Sequence, residues 1–74
     1  MQYLIVIEKT KTSYSAYSPD LAGCVATGAT KNDVETNMRD AIEFHLAGLR
    51  QDGQAVPPPT SYSTYVEIPV APSA

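Results

Sequence analysis
Apolar residues run without interruption from Tyr3 to Ile7, and Ile5, Val6 and Ile7 are all β-branched. Successive strand side chains point to opposite faces, so a continuous run of this kind predicts a strand covered on both sides. A polar link follows, Lys9-Thr10-Lys11-Thr12. Beyond it Tyr14 and Ala16 alternate with Ser13, Ser15 and Tyr17, the period-two signature of a half-buried strand. The two runs predict an antiparallel hairpin closed by a four-residue loop. Ser18-Pro19-Asp20 then suits a turn, because Pro19 fixes φ for the second turn position and Ser18 or Asp20 can bond nearby amides. Cys24 to Thr27 is small and β-branched enough to form a third strand, which Gly28 ends.

The period changes at Thr30, which reads as a helix N-cap with Asp33 three residues on. From there Val34, Met38, Ala41, Ile42, His45, Leu46 and Leu49 recur on one broad face, with Phe44 and Gly48 on its margin. Asn32, Thr36, Arg39, Asp40, Glu43 and Arg50 fall opposite. Asp52-Gly53 closes the helix, Gly53 being placed for a left-handed cap. Pro57-Pro58-Pro59 predicts an extended polyproline connector. Past it Tyr62, Thr64, Val66 and Ile68 alternate with Ser63, Tyr65 and Glu67, a fourth strand by the same criterion as the second. The expectation is an α+β domain of order β-β-β-α-β over residues 1–68, with one helix packed on one sheet face and residues 69–74 as a tail. A single helix covers a single face while the first strand is apolar on both. Self-association into a dimer or tetramer is the simplest remedy.

A chain of 74 residues is one domain with a marginal core, which also favours oligomerisation. The net charge of -3, with Lys9, Lys11, Lys31, Arg39 and Arg50 scattered, argues against direct nucleic-acid binding and favours a basic partner. The single cysteine excludes an internal disulfide and a cysteine-based metal site, in keeping with a reducing cytoplasm. The N-terminal apolar run is too short for a signal peptide or a membrane span.

No catalytic constellation emerges from the remaining residues. His45 lies on the apolar helix face without an Asp, Cys or second His, so it reads as a packing residue. Glu8, Asp20 and Glu67 sit at strand ends or in a turn, while Asp33, Glu35, Asp40, Glu43 and Asp52 lie on the solvent side of the helix or at its ends. A two-metal nuclease needs carboxylates that converge, and none is expected at a strand centre. Cys24 has apolar neighbours and no local base to activate it, so it reads as a small core hydrophobe. Tyr3, Tyr14, Tyr17, Tyr62 and Tyr65 lack interleaved basic residues, so cross-strand packing and interface anchoring suit them better than base stacking. No metal or organic cofactor is expected.

The stretch from Tyr17 through Pro19-Asp20-Leu21-Ala22-Gly23-Cys24 to Gly28 and Thr30 resembles the HicB family of bacterial antitoxins. In that family a strand ending in Tyr leads into a Pro-Asp-Leu-x-Gly-Cys turn, a short strand ending in Gly, and a Thr-capped helix. Ala41-Ile42, His45-Leu46 and Pro57 to Pro59 also occupy family-like positions. The resemblance implies a partial RNase H-like fold without its metal-binding carboxylates, and a non-enzymatic role. It implies a partner too: HicA, a small basic mRNA-cleaving toxin with a double-stranded-RNA-binding-like fold and a catalytic histidine, which HicB covers and blocks. Many members carry a C-terminal DNA-binding segment, for which Pro69 to Ala74 leaves no room.

Two other functions compete: a vestigial RNase H-like metal-dependent nuclease, and a solitary homo-oligomer without a toxin. The candidate partner surface is the turn, Tyr17, Pro19, Asp20, Leu21 and Cys24, stiffened by Pro19 and Gly23 and offering an apolar anchor beside a carboxylate. The alternative is that Leu21 tucks under the sheet and Asp20 bonds its own turn amides.

Overall fold
The computed structural model describes residues 1–72; the last two positions of the expected tail, Ser73 and Ala74, lie outside the described residues. Three strands, β1 (Val6–Lys9), β2 (Tyr14–Ser18) and β3 (Leu21–Gly28), precede one helix, α1 (Lys31–Gln51). They form an antiparallel sheet in the order β1-β2-β3, so both outer strands have one edge unpaired among the described residues. Lys9 pairs with Tyr14, and the loop Thr10–Ser13 between them is closed by the Thr10 amide bonding the Ser13 carbonyl at 2.9 Å. This is the expected hairpin, displaced by one residue.

The helix begins where its capping chemistry puts it. Thr30 has an extended backbone and its hydroxyl accepts from the Asp33 amide at 3.1 Å, satisfying one of the orphan donors of the first turn. At the other end the Gly53 amide bonds the Arg50 carbonyl at 3.1 Å and the Gln54 amide bonds Leu49 at 2.8 Å. Those two bonds make a Schellman cap. Between the caps α1 packs against β3 and β2. Val34, Met38 and Leu46 are buried on the sheet side, while Ala41, Ile42 and Leu49 close around them.

The core is completed from the sheet by Ala16, Leu21 and Cys24, with Tyr3, Ile5, Ile7 and Tyr14 packed against it. Leu21, Met38 and Val34 are the largest side chains wholly removed from solvent. Each such burial stabilises by about 1.5–3 kcal/mol relative to exposure. Two contacts fix the helix to the end of β3. The Asn37 side-chain amide donates to the Thr27 carbonyl at 2.8 Å, and Gly28 lies so close that a Cβ there would stand 2.5 Å from the Val34 amide nitrogen.

The fourth strand expected over residues 62–68 is corrected: this segment joins no sheet within the chain. It stays largely solvated, with Tyr65 99% exposed and Val66 74% exposed. Alternation equips a segment to pair but does not supply an edge. Here the Tyr3 hydroxyl donates to the Pro57 carbonyl, and Thr60 and Ser61 are held at the β2–β3 turn. The chain therefore leaves the sheet at its end instead of running alongside a strand. The molecule's longest extent is 60 Å and its radius of gyration 15.8 Å, against about 11 Å for a compact chain of this length.

Candidate functional site
The turn from β2 to β3 is the most highly worked part of the surface. Ser18 pairs with Leu21, so Pro19 and Asp20 alone make the reversal. The next pair is Tyr17 with Val25, which leaves Ala22, Gly23 and Cys24 as extra residues on β3. Gly23 has φ +78°, the left-handed conformation that glycine adopts without a Cβ penalty, and it forms the kink of this bulge. The bulge shifts the phase of the strand. Leu21 and Cys24 are three apart yet both face the helix, at 1% and 4% exposure.

Two of the five candidate residues take the packing role that the sequence also allows. Leu21 and Cys24 belong to the core, where burial raises the thiol pKa of Cys24, and neither is presented on the turn. Tyr17 and Pro19 remain exposed. Asp20 turns towards the C-terminal segment instead of its own turn amides. Its Oδ2 accepts from the Thr60 and Ser61 amides, each at 3.1 Å; its Oδ1 accepts from the Thr60 hydroxyl at 2.9 Å and the Ser61 hydroxyl at 3.0 Å. These bonds, the Ser61 amide foremost, hold the Asp20 pKa below the ordinary carboxylate value despite some opposing desolvation. Thr60 and Ser61 were not read as partners of the turn. Forty residues separate Asp20 from Thr60, and polar residues after a proline run carry no local pairing signal.

On the sheet face away from α1, the register places Val6, Tyr17 and Val25 side by side across all three strands. Tyr17 is 42% and Val25 65% exposed, which gives the open face an apolar row. Phe44, on the margin of the helix, is also exposed and lines a shallow hollow of about 410 Å³ with Val25, Cys24 and His45. His45 is half-buried there. Among the described residues no group of three or more His, Cys, Asp or Glu side chains converges in a way that could hold a metal ion. No helix among them is long and apolar enough to cross a membrane.

A small antiparallel sheet with one capped helix on one face, entered through a bulged Pro-Asp-Leu-x-Gly-Cys hairpin, defines the class of protein. The family described as HicB_like antitoxin of bacterial toxin-antitoxin system matches residues 3–70, and the chain belongs to it.

Among its relatives is a protein of Haemophilus phage HP1, described as an uncharacterized 14.9 kDa protein in the rep-hol intergenic region. It is 33% identical over 93% of this chain and 52% of its own length. A UPF0150 protein of Helicobacter pylori is 40% identical over 64% of this chain and 65% of its own length. This chain thus spans about half of the phage relative and about two thirds of the Helicobacter one. Among solved structures, a chain from one described as a HicA3 and HicB3 toxin-antitoxin complex superposes with a TM-score of 0.69 and 35% identity. That match covers 80% of this chain and 70% of that one.

Proposed function
We propose that this protein is an antitoxin that binds a small HicA-type ribonuclease toxin and masks its active surface. The observation that carries the reading is the 35% identity and shared fold with a chain of a HicA3–HicB3 complex. Physical chemistry supports it. The net charge of -3 suits a basic, RNA-binding partner, and complementary charge speeds capture more than it adds affinity. The β2–β3 hairpin is held by Pro19, the bulge and the Asp20 bonds, so little ordering entropy is lost when something docks on it. Tyr17 and Pro19 are its exposed contact residues, with Val6 and Val25 extending the surface across the open sheet face.

The protein acts by binding, not by catalysis. Among the described residues no three His, Cys, Asp or Glu side chains converge, and Asp20 is engaged with its own chain, which favours binding over hydrolysis through two metal ions. It works without a cofactor, in the cytoplasm where a mRNA-cleaving toxin would act, and it assembles as a homo-oligomer.

Tyr17→Lys tests the surface. The side chain is exposed on the open face, so the melting temperature should hold within a few degrees while binding to a HicA-type toxin falls at least about tenfold. Unchanged binding would remove the open face from the interface.

A further inference from the structure
Three residues that α1 would be better without share one hollow beside β3. Phe44 is 83% exposed, a large apolar ring held in water. Gly48 lies inside the helix, where glycine is unfavourable relative to alanine. Nothing in the fold asks for it: a Cβ there would meet no atom of the described chain within 4 Å, and its φ is not left-handed. Asp52 is the C-cap, a carboxylate at the negative end of the helix dipole. Spaced four apart, the three follow one row down the helix. They line the hollow of about 410 Å³ together with Val25, Ala41 and Leu49. Local choices that work against a fold mark surface kept for another purpose.

With the antitoxin reading as its premise, we propose that this hollow receives an arginine side chain of the toxin. The charges select a cation. Asp52 is the one carboxylate of the hollow, no Lys or Arg lines it among the described residues, and the chain carries a net charge of -3. The apolar lining selects a cation with a long methylene stem. Such a stem packs across the Phe44 ring and over the bare backbone of Gly48, and the guanidinium fork meets the Asp52 carboxylate at the helix end. Arginine suits this better than lysine, being more weakly hydrated and shaped to bond a carboxylate through two donors.

The consequence for the toxin is loss of a phosphate contact. An enzyme that cleaves RNA holds the backbone with arginines and lysines, so a cation captured here is withdrawn from RNA. Val25 belongs both to the hollow and to the Val6–Tyr17–Val25 row. The arginine therefore extends the contact on the open face around β3 to the helix.

Calorimetric titration of the full chain with a HicA-type toxin tests the proposal, with thermal unfolding of each variant alongside. Gly48→Ala should raise the melting temperature by a few degrees and still weaken binding at least about tenfold. Phe44→Ala should leave the melting temperature near wild type and weaken binding to a similar extent. Asp52→Asn should weaken binding and flatten its dependence on salt. A wild-type chain that does not bind would overturn the antitoxin reading and this proposal together. Wild-type binding that Gly48→Ala and Phe44→Ala leave unchanged would overturn the hollow alone. A lower melting temperature in Gly48→Ala would give that glycine a place in the fold, and an Asp52→Asn variant that binds like wild type would exclude the arginine; either result overturns the proposal.

Discussion

At the scale of single residues the hairpin turns on Asp20, Gly23 and Gly28. Four hydrogen bonds stabilise the ionised form of Asp20. Its native pKa lies below the ordinary value of 3.8, so the unfolded chain takes up a proton before the folded one does. The carboxylate therefore contributes stability above pH 3.8, and that contribution is lost as pH falls through the lower native value. The protection factors of the Thr60 and Ser61 amides, measured against the intrinsic exchange rate at each pH, should fall across that acid window. In Asp20→Asn they should already be low at neutral pH, because an amide has one acceptor oxygen where the carboxylate has two. Protection that ignores both acid and the substitution would mean that the tail is held by something else. Gly28 is fixed by space: Ala there sets a methyl 2.5 Å from the Val34 nitrogen, so helix or strand must shift. Gly28→Ala should cost about 1–3 kcal/mol in urea unfolding. At this scale the sequence offers the turn, the caps and, as one of two readings, the burial of Leu21 and Cys24, but not the device that turns both inward. Plain alternation sets positions 21 and 24 on opposite faces, and only the bulge at Gly23, a pairing property, brings both inward.

At the scale of elements, legibility follows how local the determinants are. The helix was readable to within two residues of its end because its cap, its apolar stripe and its stop signal are all contained in the segment. Thr30→Ala should cost about 1 kcal/mol by removing the bond to Asp33. Met38→Ala, at 0% exposure, should cost about 2–5 kcal/mol through a cavity between helix and sheet. Chemical denaturation measures both, and equal losses at the two positions would contradict the assigned core. The sequence pattern starts the first strand at Tyr3, three residues early, and puts residues 62–68 into the sheet, for one shared reason. Tyr3–Ile5 is a continuous apolar run and residues 62–68 alternate, both with the right residue types, but a strand exists only where a partner backbone lies alongside. Register across long sequence separations is not written in either segment.

At the scale of the molecule, the fold offers an apolar open face, two sheet edges unpaired among the described residues and an extended arm on a domain of marginal size. Such a chain is suited to assembly, and the exposed row Val6–Tyr17–Val25 is the surface on which the proposed toxin would dock. The direct measurement is a titration of the purified chain into a HicA-type toxin, with cleavage of a defined RNA as readout. Cleavage should fall linearly and cease near a fixed stoichiometric ratio, and Tyr17→Lys should shift that inhibition to higher concentration. RNA cleavage that continues unchanged at excess antitoxin would contradict the account.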